Sequence, residues 1–122
     1  MPYITAMSAS PVAVVESREF ERQAAGLFAL EEIEALKLHL AYDPTAGVVV
    51  PGTGGVRKLR WGAGGKGKRG GARVIYYYHS EALPLFLFGV YAKASKADLS
   101  PDQKRKLTRI VKDIAASQRR RQ

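Results

Sequence analysis

The sequence of 122 residues predicts a single α+β domain with the element order β-α-α-β-β-β-α. Three observations support this fold class. Two neighbouring segments near the N-terminus repeat apolar residues at helical spacing, three β-rich runs follow in the middle of the chain, and an amphipathic helical pattern ends it. We therefore expect an N-terminal strand and a helical hairpin to pack on an antiparallel sheet, with the helices grouped against one face.

Residues 1–11 are expected to form a flexible lead-in. The apolar run VAVVE (12–16) suits a short buried strand. Ser17 can cap the helix that follows, because a serine hydroxyl accepts a hydrogen bond from an N–H of the first turn. The expected apolar face of this helix comprises Phe20, Ala24, Leu27 and Phe28.

A second helix is predicted from residue 30, and Pro44 ends it. Three glutamates in its first turns suit the positive end of the helix dipole. Its expected apolar stripe comprises Leu30, Ile33, Leu36, Leu38 and Leu40.

The middle of the chain predicts an antiparallel meander. GVVVPGTGG (47–55) has the glycines and proline of a connector. VRKLRW, ARVIYYYH and LPLFLFGVYAK then read as three strands, the last so apolar that a central or well-covered position is expected. The glycine-rich segment 62–71 predicts a mobile basic hairpin loop.

The last helix has a clear start signal. Ser100, Pro101 and Gln103 have the spacing of a capping box with proline at the first helical position. Its apolar face comprises Leu107, Ile110, Val111 and Ile114. We expect one domain over residues 12–116 and a frayed basic tail over residues 117–122.

Charge is distributed unevenly along the chain, whose net charge is +9. Residues 1–50 carry three basic and seven acidic residues, and the remainder carries seventeen basic and four acidic ones. Such a basic region attracts polyanions, so nucleic acid is the leading partner, with an anionic membrane surface or mere solubility as alternatives. The chain has no cysteine, and neither a signal peptide nor a membrane span is recognisable, so we expect a soluble cytoplasmic protein.

The residues available for catalysis exclude several enzyme classes. A two-histidine centre would require His39 and His79 to meet, and we find no metal-ligand motif and no nucleophile elbow. The glycine-rich stretches fit neither a phosphate-binding loop nor a dinucleotide fingerprint. We therefore expect no cofactor and no metal.

Strand alternation offers a basic surface instead. Lys58 and Arg60 leave one face of the first meander strand, and Tyr91 and Lys93 share a face of the third. On the middle strand Arg73 lies opposite in face to Tyr76. If the faces coincide, one surface gathers the four catalytic candidates Lys58, Arg60, Arg73 and Lys93. Alternatively, the four side chains are only solvated charges on an exposed sheet face. Arg73 could also have a structural role, holding its strand in place by hydrogen bonds.

Phosphate chemistry suits these residue types. Guanidinium and ammonium groups hold a phosphodiester and stabilise the charge that develops on it, while RNA supplies its own 2′-OH nucleophile. The general base stays open between Lys58, Lys93 and His79. Further RNA contacts are expected from Lys66, Lys68 and Arg69 in the loop, which otherwise is an ordinary surface loop, and from stacking on a base by Tyr76 or Tyr91.

Three blocks together resemble the RelE/ParE toxin superfamily, and specifically its HigB-like branch. They are VVVPGTGGVRKLRW, GKGKRGGARVIYYY and VYAKASKADLSPDQKRKL, and the resemblance spans residues 12–115. It implies a RelE-like fold and the toxin of a type II toxin–antitoxin system. The activity implied is a ribosome-dependent endoribonuclease that cleaves mRNA through 2′-OH attack, with mRNA, the ribosome and a cognate antitoxin as partners.

Carried over by motif, the resemblance assigns the working residues to Lys58, Arg60, Arg73 and Lys93, with Arg57 and Tyr91 as secondary candidates. The late tyrosine of the RelE pattern has no certain equivalent, since Tyr91 is the last tyrosine of the chain. Two alternatives stay open: a non-enzymatic inhibitor of DNA gyrase resembling the ParE branch, and a plain RNA-binding module.

Overall fold

The computed structural model describes residues 10–62, 71–93 and 98–120. Within these residues it contains five strands and three helices in the predicted order, with one additional short strand in the glycine-rich connector. The elements are β1 (Val14–Glu16), α1 (Arg18–Ala25), α2 (Leu30–Tyr42), β2 (Val48–Val49), β3 (Arg57–Trp61), β4 (Ala72–Tyr77), β5 (Leu85–Ala92) and α3 (Pro101–Arg120).

The five strands form one sheet in the order β1-β5-β4-β3-β2. Strands β3, β4 and β5 pair antiparallel, which confirms the predicted meander, and β5 lies inside the sheet as expected from its apolar sequence. Strand β1 runs parallel to β5 at one edge. The expectation of a buried strand here was wrong, because an edge strand has neighbours on one side only, and the Val15 side chain is 44% exposed.

The two faces of the sheet are covered by different helices. The α1–α2 hairpin packs with Val74, Tyr76 and Leu87 in the larger core, whereas α3 packs through Val111 against Ile75 and neighbouring side chains of the opposite face. The expectation that all helices group against one face is therefore corrected. The physical reason is that β4 is apolar on both sides over most of its length, so both of its faces need cover.

Local sequence signals set the hairpin on the sheet. The Ser17 hydroxyl accepts the N–H of Phe20 at 3.0 Å, as predicted, and donates to the carbonyl of Phe88 at 2.9 Å, which ties the start of α1 to β5. Leu36 is fully buried, but Leu30 and Leu38 are 78% and 62% exposed. At about 100° per residue, both lie more than about 100° around the helix from Leu36, which corrects the predicted stripe.

The connector before β3 is held by a buried threonine. The Thr53 hydroxyl donates to the carbonyl of Val50 at 2.6 Å and accepts the N–H of Val56 at 3.1 Å. Gly52 and Gly54 adopt positive φ angles of 77° and 78°, which other residues rarely adopt. This loop fixes where β3 begins.

Helix α3 starts as predicted and continues further than predicted. Ser100 and Gln103 exchange the two hydrogen bonds of a capping box, at 2.8 and 3.2 Å. The helix extends to Arg120, so residues 117–120 are helical rather than frayed, and the predicted domain boundary at residue 116 falls inside the helix. Its late turns are half-buried, which explains why they remain helical.

Candidate nucleic-acid interface

The centre of the candidate site is a row of side chains across three strands. Arg60 of β3 pairs in register with Arg73 of β4, and Arg73 pairs with Tyr91 of β5. Residues directly opposite each other in antiparallel strands point to the same face. Lys58 lies on that face too, two residues before Arg60, and its register partner is Ile75.

A β-bulge places Tyr91 in this row. Tyr76 pairs with Leu87 and Ile75 pairs with Gly89, so Phe88 is an extra residue in β5. Without it, the register would set Val90 opposite Arg73 and turn Tyr91 to the opposite face. One inserted residue thus decides which side of the sheet carries the tyrosine.

The row emerges where α3 does not cover the sheet. The apolar residues of α3 pack on Val56, Ile75 and Tyr77, which leaves Arg60 exposed and Arg73 half-buried. The hydrogen bond found for the Arg73 guanidinium, to the carbonyl of Ala72, is long at 3.4 Å. Among the described residues this contact holds the guanidinium weakly, and Arg60 lies opposite Arg73 on the same face.

An acidic residue that the sequence interpretation missed lies against this cluster. The Asp98 carboxylate is 3.5 Å from the Lys58 ammonium and accepts the N–H of Leu99 at 2.8 Å. The Leu99 N–H, and then the positive charges of Lys58 and Lys104, hold the pKa of Asp98 below its usual value. Asp98 is therefore an anion at neutral pH, and it occupies Lys58 in the absence of another anion. In the sequence, Asp98 lies two residues before Ser100, which caps α3, and this position was the available signal that Asp98 lies near the start of that helix.

Tyr91 lies between opposite charges. Burial raises the pKa of its hydroxyl, the Asp98 carboxylate raises it further, and the Arg73 guanidinium acts in the opposite direction. The phenol therefore keeps its proton at neutral pH. A cleft of about 440 Å³ extends from Tyr91 between α1, β5 and α3, with Phe88, Leu99 and Leu107 among its walls.

Lys93 lies at the margin of the site. It follows β5 directly, its backbone N–H donates to the carbonyl of Gly71 at 3.3 Å, and its side chain is exposed. The structure thus brings Lys58, Arg60 and Arg73 together on one face, with Lys93 two residues beyond Tyr91 on the neighbouring strand.

Two predicted RNA contacts lie on the other side of the sheet. The Tyr76 ring is fully buried, and its hydroxyl accepts the N–H of Gly47 at 2.8 Å and donates to the carbonyl of Pro44 at 2.9 Å. The Arg57 guanidinium donates to the carbonyl of Gly47 at 2.7 Å. Both side chains therefore hold the chain between α2 and β2, and neither is placed to meet RNA beside Arg73.

The remaining predicted contacts, Lys66, Lys68 and Arg69, lie outside the described residues. The two histidines do not meet. His39 packs on the Trp61 ring with 5.4 Å between centroids, whereas the Nδ1 of His79 is 2.9 Å from the Tyr77 hydroxyl at the other end of β4. Within residues 10–62, 71–93 and 98–120, no three His, Asp or Glu side chains group as a metal site would require.

Most of the chain matches the model of one known family. The model of a family described as the RelE toxin of the RelE/RelB toxin–antitoxin system matches residues 14–121. The match begins at β1 and ends after the last described turn of α3. Among the described helices, none combines the length and hydrophobicity of a membrane span.

Proposed function

The chain belongs to the RelE toxin family of toxin–antitoxin systems, and from this premise we propose that it inhibits translation as a ribosome-dependent endonuclease that cleaves mRNA. The observation that carries the proposal is the row formed by Arg60, Arg73 and Tyr91 with Lys58 beside it. Two guanidinium groups and an ammonium group on one open sheet face suit a phosphodiester that gains charge as it reacts.

The proposed reaction uses the nucleophile of the substrate. The 2′-oxygen of the ribose attacks the adjacent phosphorus, the bond from phosphorus to the 5′-oxygen of the next nucleotide breaks, and a 2′,3′-cyclic phosphate and a 5′-hydroxyl result. One proton leaves the 2′-OH and one reaches the departing 5′-oxygen. Arg73 and Arg60 stabilise the negative charge on the non-bridging oxygens during this exchange.

The proton transfers fall to the other side chains of the site. The Lys58 ammonium already pairs with the Asp98 carboxylate, and an RNA phosphate that binds here would displace Asp98 from it. Lys93 and Lys58 are the candidate bases, each needing to lose a proton before it can accept one. Tyr91 keeps its phenolic proton, since its pKa is raised by burial, and it borders the cleft beside the row.

The cleft beside Tyr91 suits a nucleobase next to the reacting phosphate. Its walls include the rings of Phe88 and Tyr91, and Gln103 and Lys106 lie among its lining residues. Aromatic faces stack on unpaired bases, and polar groups at the rim can read a base edge. Lys66, Lys68 and Arg69, in the sequence between β3 and β4, are proposed to contact the RNA backbone.

The proposed partner of the basic face is an antitoxin encoded beside the toxin. It is expected to bring acidic segments to this face and so compete with mRNA. The PGTGG and GGARVIYYY blocks favour the HigB-like branch. The reaction would take place in the cytoplasm, where mRNA is translated.

Primer extension on an mRNA translated in a purified system tests the proposal. We expect cuts at defined codon positions when toxin and ribosomes are both present, and intact mRNA when either is omitted. Intact mRNA in the presence of both would contradict it, and arrest of gyrase supercoiling by the same preparation would point to the ParE-like alternative. If free RNA is cleaved as fast as ribosome-bound mRNA, the activity does not depend on the ribosome.

A further inference from the structure

Helix α3 carries a second basic surface that the cleavage chemistry does not use. Residues 101–120 hold seven basic and two acidic residues. The exposed cations Arg105, Arg109, Lys112 and Arg119 follow one another at intervals of four, three and seven residues. With 3.6 residues per turn they fall within about a quarter of the helix circumference and extend over about 21 Å. We call these four residues the α3 stripe.

The α3 stripe is well separated from the apolar face of its helix. Val111, the most buried residue of α3, packs on the sheet, and Arg109 and Lys112 lie roughly 100° or more around the helix from it. Arg105 forms an ion pair with Asp102. Within the described part of the chain, no ion pair is found for Arg109, Lys112 or Arg119.

Helix α3, which carries the stripe, begins near Lys58 of the candidate site. Asp98, just before the helix, pairs with Lys58, and the charge of Lys104 acts on the same carboxylate. Further along, Thr108 donates to the carbonyl of Gly52 at 3.1 Å, in the loop that precedes β3. Helix α3 therefore starts near Lys58 and passes the loop that precedes β3, and the α3 stripe lies on the side of the helix that faces away from Val111.

We propose that the α3 stripe binds the phosphate backbone of ribosomal RNA and thereby holds the toxin on the ribosome. The inference rests on the proposed function, because cleavage that requires a ribosome needs a contact with the ribosome besides the contact with the cleaved strand. The other helical surface is unsuited to this role, since residues 16–43 carry seven acidic and three basic residues.

The composition of the α3 stripe favours RNA over a protein partner. Within the arc of the helix that the four cations span, Ala116 is the one apolar residue, whereas protein interfaces place apolar side chains at their centres. Interfaces with nucleic acid are polar and rich in positive charge. Three of the four cations are arginines, whose planar guanidinium groups bind phosphate oxygens in pairs. A rigid helix with regularly spaced cations also suits a preformed RNA backbone.

The test compares two double variants of the full chain, each of which removes two positive charges from a helix. Arg109→Gln with Lys112→Gln alters the α3 stripe, and Arg18→Gln with Arg22→Gln alters exposed residues of α1 on the other side of the sheet. Binding to purified ribosomes without mRNA is measured from 50 to 200 mM potassium chloride. The proposal expects the stripe variant to bind about tenfold more weakly, with the slope of log K against log salt reduced by about 1.5.

The control variant should bind within about twofold of the unaltered chain. Equal binding by the two variants would overturn the proposal, as would a deficit seen only on ribosomes carrying mRNA, which would assign the α3 stripe to the cleaved strand. Loss of antitoxin binding with unchanged ribosome binding would assign it to the antitoxin. If the unaltered chain binds ribosomes but leaves translated mRNA intact, the proposed cleavage fails while the salt slopes still decide the role of the α3 stripe.

Discussion

The two faces of the central strand β4 have opposite roles. On the face below the helical hairpin, Val74 and Tyr76 are fully buried in the larger core. On the other face, Ile75 and Tyr77 pack under α3, but Arg73 emerges beyond the helix among Arg60, Lys58 and Tyr91. Neighbouring residues of one strand thus belong to the core and to the candidate site, and alternation along the strand assigns each role.

Tyr76 and Tyr91 lie on opposite faces of the sheet and have different surroundings. Tyr76 uses its hydroxyl to satisfy two backbone groups of the segment before β2, and burial raises its pKa despite the hydrogen bond from Gly47. Tyr91 reaches the basic face through the bulge at Phe88. The first tyrosine stabilises the fold, and the second lies in register with Arg73 in the candidate site.

The largest effect is expected on the core face. Tyr76→Ala should lower the free energy of unfolding by about 3–5 kcal/mol, because it leaves a cavity under the hairpin. Tyr76→Phe keeps the ring and removes the hydroxyl, which leaves the buried N–H of Gly47 without its partner and should cost about 1–3 kcal/mol. Urea unfolding measures both changes. An unfolding free energy unchanged in the phenylalanine variant would contradict the role given to this hydroxyl.

The two arginines of β3 provide the next comparison, since alternation puts them on opposite faces. Arg57→Ala removes the hydrogen bond to the Gly47 carbonyl and should cost about 1–2 kcal/mol of stability, with cleavage within about twofold. Arg60→Ala should slow cleavage by about tenfold or more and leave stability within about 0.5 kcal/mol. Thermal unfolding and the rate of cleavage of ribosome-bound mRNA are measured for both variants to test this. Reversed effects would mean that the faces have been assigned the wrong way round.

The smallest effect is expected for the carboxylate beside the row. Asp98→Asn keeps an acceptor for the Leu99 N–H and removes the charge that faces Lys58, so stability should change by less than about 1 kcal/mol. RNA affinity should rise a few-fold, because the incoming phosphate no longer competes with Asp98. Weaker RNA binding by this variant would show that Asp98 positions Lys58 rather than occupying it.

The lowered pKa of Asp98 also predicts how the effect of Asp98→Asn on RNA affinity responds to pH. The pKa of Asp98 is lowered in the folded protein, so its ion pair contributes fully above the ordinary carboxyl pKa and is lost as pH falls through the lowered value. Between pH 6 and 8 the difference in RNA affinity between Asp98→Asn and the unaltered chain should therefore be constant. Titration of RNA binding over this range checks it, and a difference that changes with pH would contradict the assignment.

Much of this fold follows from local sequence signals. The caps at Ser17 and Ser100 involve residues within three positions of each other, so their spacing was sufficient to predict them. Alternation along β3 likewise placed Lys58 and Arg60 together. Pairing between distant segments was less accessible: the parallel contact of β1 with β5 and the short strand β2 depend on tertiary packing rather than on local pattern.

The candidate site was predictable only up to the bulge. Strict alternation in β5 would place Tyr91 on the face of Leu85 and Leu87, in the core, and only the extra residue Phe88 turns it towards Arg73. Alternation along β4 already placed Tyr76 on the face opposite to Arg73, whereas the position of Tyr91 depends on the bulge. The covering of the second face by α3, which decides where the basic row is open, also depends on packing.

Single-turnover cleavage of ribosome-bound mRNA by Arg73→Ala tests the central claim most directly. The account predicts a rate about 10²–10³ lower than that of the unaltered chain, with thermal stability retained, and partial recovery in Arg73→Lys, which restores charge without the planar geometry. An unchanged cleavage rate in the alanine variant, or a loss that merely follows a fall in stability, would contradict the claim that this basic row holds the reacting phosphate.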